Sequence, residues 1–126
     1  LAPGDNTVLV LGEDQKTVLM DVISTLTSSN FTIAGFTNAY VISNSWSGPE
    51  SASPDTTLES WLAVAAASGI SVNFSSGDCG DNTYTTTKKC HGTWPSSPKV
   101  DYPSSSAYVT AVGAPAVFVD SQYRYA

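Results

Sequence analysis

Two stretches of this 126-residue chain gather side chains that could do chemistry. Ser45-Trp46-Ser47-Gly48 and Ser75-Ser76-Gly77-Asp78-Cys79-Gly80-Asp81 mix glycines, which let another backbone approach closely, with small polar groups. The carboxyl of Asp78 accepts hydrogen bonds when ionised and can donate one only when protonated. The ordinary alternative for Asp78 is a loop aspartate bonding its own backbone in an Asx turn. Cys79, on a glycine-flanked turn, has the outline of a nucleophile elbow, with His91 available as its base. Cys79 and Cys90 would instead close a short loop if bridged, and a bridge silences the thiol. In an oxidising compartment such a bridge would contribute about 3 kcal/mol in the chain-entropy model. A lone histidine in a polar loop is more often simply solvated.

The surroundings of these residues limit the partners they could meet. Net charge is −6, and of the five basic residues only Lys88 and Lys89 are adjacent. There is no basic stripe to meet a phosphate backbone, so nucleic acid is not an expected partner. No apolar run approaches the length that spans a bilayer, and no membrane association is expected. Charged residues make up 13%, about half the usual share, while nineteen Ser and fourteen Thr supply polarity instead. Hydroxyls stay polar in acid, where carboxylates lose their charge, so the composition suits an extracellular or acidic setting. Two sequons are present, at Asn30 and Asn73; only Asn30 is a plausible glycan acceptor, because Asn73 falls in an expected strand.

The elements that must position the two stretches alternate strand and helix. Residues 7–11 (TVLVL) form a β-branched apolar run expected to be a buried strand. Glu13 and Asp14 open a helix at the favourable end of its dipole, with Val18, Leu19, Val22, Ile23 and Leu26 on one apolar face. Residues 40–45 (YVISNS) are a second strand, followed by a Ser-, Gly- and Pro-rich loop over 47–54. The next helix begins near Thr56, with Thr56 and Glu59 in capping-box spacing. Leu58, Leu62, Ala65 and Ala66 mark its buried side, and Gly69 stops it. Residues 70–74 (ISVNF) are a third strand. Residues 75–106 read as one long functional loop, and 107–112 and 116–120 as closing strands. This order implies an α/β fold, a parallel sheet flanked by helices, with 45–48 and 75–81 at the carboxyl ends of strands where ligands bind.

Three segments in order, VISNSWSGPE (41–50), ASGISVNFSSGD (67–78) and YPSSSAYVTAVG (102–113), resemble the sedolisin (serine-carboxyl peptidase) family. The opening LAPG (1–4) is similar to the turn after that family's catalytic Glu/Asp helix. The resemblance covers most of the chain and implies a subtilisin-like domain of which residues 1–126 are the central part. In that family a glutamate, linked to an aspartate, activates a serine nucleophile, and a further aspartate in a Ser-Gly-Asp segment stabilises the oxyanion. That last position corresponds to Asp78, whose role would be that of a neutral donor, kept protonated by burial and by acid. Ser45, Trp46, Ser47, Gly48, Ser76 and Gly77 correspond to the substrate cleft, along which a peptide would lie extended; the ordinary role for Trp46 is packing on the sheet end.

The resemblance also implies what lies elsewhere. The nucleophile belongs to a Gly-Thr-Ser segment that this sequence does not contain. The Glu/Asp pair is expected upstream and the family's calcium site further along, so no metal is assigned to this chain. The chain alone is therefore expected to be inactive and to need the remaining segments of its own domain as well as a peptide or protein substrate. Cys79 and Gly113-Ala114-Pro115 depart from the family's small residue after Gly-Asp and its Gly-Gly-Thr. Two other readings remain open: a secreted binding or surface module on the same scaffold, and a Cys79/His91 hydrolase.

Overall fold

The computed structural model describes residues 4, 6–28, 41–51, 53, 55–80 and 98–114. They form a mixed α/β arrangement with a small parallel sheet and two helices. The strands β1 (Val41–Asn44), β3 (Ser71–Ser75) and β5 (Thr110–Val112) lie in the order β1-β3-β5, all parallel. The two-residue strands β2 (Gly48–Pro49) and β4 (Asp101–Tyr102) pair antiparallel in a separate ladder. Helix α1 (Gln15–Thr27) packs on α2 (Thr56–Ala67), and α2 packs on β3.

The central strand shows why the core sits where it does. Along β3 the side chains alternate, so Val72 and Phe74 are buried while Ser71, Asn73 and Ser75 turn to the other face. Val72 and Phe74 join Ile70, Leu58, Leu62, Ala65, Leu19 and Ile23 in one apolar cluster. Leu58, Leu62 and Ala65 recur at the spacing that puts side chains on one helix face. Ala66, expected on that face, is exposed, because it lies one residue further round the turn. Two side-chain amides tie β1 to β3: Asn44 Nδ2 donates to Asn73 O at 3.2 Å and Asn73 Nδ2 to Ile42 O at 3.4 Å.

The helix ends differ slightly from the expectation. Asp14 caps α1, its carboxylate accepting from Thr17 N at 2.8 Å. The N-cap of α2 is Asp55, one residue before Thr56, and it accepts from the backbone N–H groups of Thr57 and Leu58, both at 3.1 Å. A shift of one residue moves Glu59 out of the capping box, and its carboxylate accepts from Ser106 Oγ at 3.0 Å instead. Lys16 on α1 pairs with Asp55, so the two helices share a cap. Gly69, at φ +74°, follows the Ser68 C-cap in the left-handed region that glycine enters without strain.

Two expectations fail more broadly. Residues 7–11 are not a strand and not buried: Leu9 and Leu11 are each 81% exposed. An apolar run becomes a strand only where a neighbour takes up its backbone groups, and β1 pairs with β3 alone among the described strands. The closing strand is β5, shorter than 107–112, since residues 103–109 turn and bend before it. Part of the long loop is structured as β4 and the turn after it. The strand expected at 116–120 and the Asn30 sequon lie outside the described residues.

Candidate functional site

Because β1, β3 and β5 run parallel, the segments leaving their carboxyl ends emerge on one side of the sheet. There residues 45–48 follow β1, 76–80 follow β3, and Gly113 follows β5. Ser76 N–H donates to Val112 O at 3.0 Å, carrying the β3–β5 ladder one step past the strands.

Trp46 is half-buried and reaches back into the core. Its ring meets that of Phe74 edge to face, with centroids 5.0 Å apart and planes at 89°. This contact gives Trp46 the packing role on the sheet end. Ser45 and Ser47 are exposed, and Gly48 enters the ladder opposite Tyr102. One edge of the Gly48-Pro49 backbone is therefore occupied by the chain's own β4, and Pro49 has no N–H to offer. An extended peptide at this end would have to pair elsewhere on the segment.

Asp78 is exposed, as is Ser76. The burial expected around the Asp78 carboxyl is not present. Among the described residues Asp78 is not hydrogen-bonded to Ser45, Trp46 or Ser47. Gly77, at φ +90°, makes the turn that sets Asp78 outside the sheet.

The carboxylate at the centre of this end is one that sequence reasoning missed. Asp101 is 4% exposed and accepts from Ser47 Oγ at 2.8 Å. It also lies against the bare α-carbon of Gly77, where a Cβ would collide with its Oδ2 and fall 2.8 Å from its Cγ. Its own backbone is fixed by the β4 pairing with Pro49 and by Ser104 Oγ and Ser105 N–H, which donate to its carbonyl at 2.7 and 2.9 Å. The available sequence signal was faint: one aspartate between Val100 and Tyr102, inside a loop otherwise rich in Ser and Pro.

Beside it, Tyr102 begins a turn over the buried Pro103, reached through a cis peptide bond. The Tyr102 hydroxyl and Glu59 Oε1 are both buried without a hydrogen-bond partner among the described residues. Burial first, then the Glu59 carboxylate beside it and last the Asp55 charge, push the phenol well above its usual range. Tyr102 therefore keeps its proton under all ordinary conditions.

Cys79 is disulfide-bonded, which removes the thiolate that a cysteine nucleophile requires. The Cys79/His91 reading fails on that ground; Cys90 and His91 lie outside the described residues. Among the described residues no three His, Cys, Asp or Glu side chains come together to hold a metal, and no helix is long and apolar enough to cross a membrane. Compared with known proteins, the chain matches no family model and no curated protein.

Proposed function

We propose that this chain is a segment of a secreted, acid-active serine-carboxyl peptidase with a subtilisin-like domain. It supplies the oxyanion-stabilising carboxyl of Asp78 and one wall of the substrate cleft. The observation that supports this reading best is the placement of residues 45–48 and 76–80 side by side at the carboxyl ends of neighbouring parallel strands. Open parallel sheets bind ligands at that end. The order of the segments that resemble sedolisins puts the Ser-Gly-Asp turn at the same place.

In this role Asp78 acts as a protonated acid, donating to the oxygen of a peptide carbonyl as it becomes tetrahedral. A donor aimed at developing charge is worth roughly 10²–10³ in kcat. The resemblance implies that hydrolysis would be confined to acid. The serine nucleophile and its Glu/Asp partners would be contributed by other segments of the same domain, since no Gly-Thr-Ser occurs here.

The test is hydrolysis of an unfolded protein substrate, at acid pH, by the polypeptide carrying this chain and the nucleophile segment. Hydrolysis that falls on Asp78→Ala with substrate binding retained supports the reading. A polypeptide that binds peptides but never cleaves them would support a non-catalytic binding module instead.

A further inference from the structure

We infer that Asp101 is a positioning residue, whose carboxylate fixes the spacing between the segment after β1 and the turn after β3. Among the described residues it is the one acidic side chain that is buried. Removing a carboxylate from water is costly unless its oxygens are satisfied by close, well-aligned donors. Here the burial coincides with a junction of three elements. The carboxylate comes from β4, the Ser47 hydroxyl that donates to it at 2.8 Å comes from the segment after β1, and the Gly77 α-carbon it rests on belongs to the turn after β3.

The two contacts constrain each other. If residue 77 carried a Cβ, Oδ2 would be displaced from the position at which it receives Ser47. Glycine at 77 is thus required twice, once for its positive φ and once for the carboxylate lying against it. The backbone of Asp101, held by Pro49, Ser104 and Ser105, gives the carboxylate a rigid base. Asp101 sets where Asp78 stands by acting through Gly77. The inference concerns the order of these two segments and holds whether or not the chain belongs to a peptidase.

Amide hydrogen exchange on the full chain tests this without reference to hydrolysis. Asp101→Ala is expected to raise exchange at residues 45–48 and 76–78 together by about tenfold, the factor corresponding to one lost hydrogen bond to a charged group. Exchange in α1 and α2 should stay as it was. Asp101→Asn, which keeps a planar group and an oxygen acceptor, should recover most of the protection. Should Asp101→Ala fail to fold, Ser47→Ala serves in its place, since it deletes one exposed hydroxyl and should release residues 45–48 severalfold. Unchanged exchange in these segments, in Asp101→Ala or in Ser47→Ala, would overturn the inference. So would a rise spread evenly through both helices, which would mark Asp101 as part of the general packing.

Discussion

Trp46 and Phe74 meet edge to face at 5.0 Å, joining the first segment of the candidate site directly to the centre of the core. Phe74 is fully buried on the central strand, so the position of the segment after β1 depends on core packing as well as on its own loop. Truncating Phe74 to Ala is expected to cost about 3–5 kcal/mol, through lost burial and the cavity left behind. A double-mutant cycle with Trp46→Leu should show coupling of about 0.5–1.5 kcal/mol, the usual worth of an aromatic pair beyond its area. Denaturant unfolding measures both, and additive costs would show that the rings do not support each other.

Asp55 caps α2 and receives Lys16 from α1, and these are separable. Lys16→Met removes only the ion pair, which is partly exposed and screened by solvent, and should cost about 0–1 kcal/mol. Asp55→Ala also removes the cap and should cost about 1 kcal/mol more. The Lys16 ammonium first, then the Leu58 N–H, hold the Asp55 carboxyl below the 3.8 of a free aspartate. The unfolded chain therefore binds the proton first as pH falls. This contribution is complete above the unfolded value and is lost as pH drops through the lower folded one. Urea titrations of the parent and Asp55→Asn should differ most at neutral pH and converge in strong acid.

Much of this was legible before any coordinates. The start of α2 was marked near Thr56 by the Thr56 and Glu59 spacing, its end by Gly69, and β3 by the apolar residues Ile70, Val72 and Phe74 before a polar turn. What was not legible depends on neighbours distant in sequence. Residues 7–11 have strand composition, yet composition does not supply a partner strand, and the run stands exposed. Strands β2 and β4 contribute two residues each, too few to show a period, and they pair across about fifty positions. Asp101 looks like any loop aspartate until Ser47 and Gly77 are brought to it. The one-residue shift of the α2 cap arose because Asp55 and Thr56 are both good capping residues, and helix registry against the core decides between them.

The exposure of residues 7–11 has a direct consequence. Leu9→Ser and Leu11→Ser should each change stability by less than about 0.5 kcal/mol, as surface substitutions do. Losses of about 2 kcal/mol or more, as for a buried leucine, would mean that the run is covered in solution. Thermal melts of the two variants distinguish these outcomes.

Tyr102 offers the opposite kind of test. Its hydroxyl is buried beside the Glu59 carboxylate with no well-formed hydrogen bond among the described residues, so the ordering of Tyr102 carries a desolvation cost. Tyr102→Phe is expected to leave stability unchanged or raise it by about 1 kcal/mol. A loss larger than that on chemical unfolding would show that the hydroxyl is satisfied.

The central claim is that Asp78 acts as a neutral hydrogen-bond donor in acid. The most direct measurement is the pH profile of peptide hydrolysis for the polypeptide containing this chain and its nucleophile segment, compared with Asp78→Asn and Asp78→Ala. Asparagine donates at every pH, so Asp78→Asn should keep measurable turnover at pH values where the parent has lost its own, while Asp78→Ala should fall by about 10²-fold or more in kcat throughout. Three profiles of the same height and shape, or no hydrolysis by the parent in acid, would contradict it.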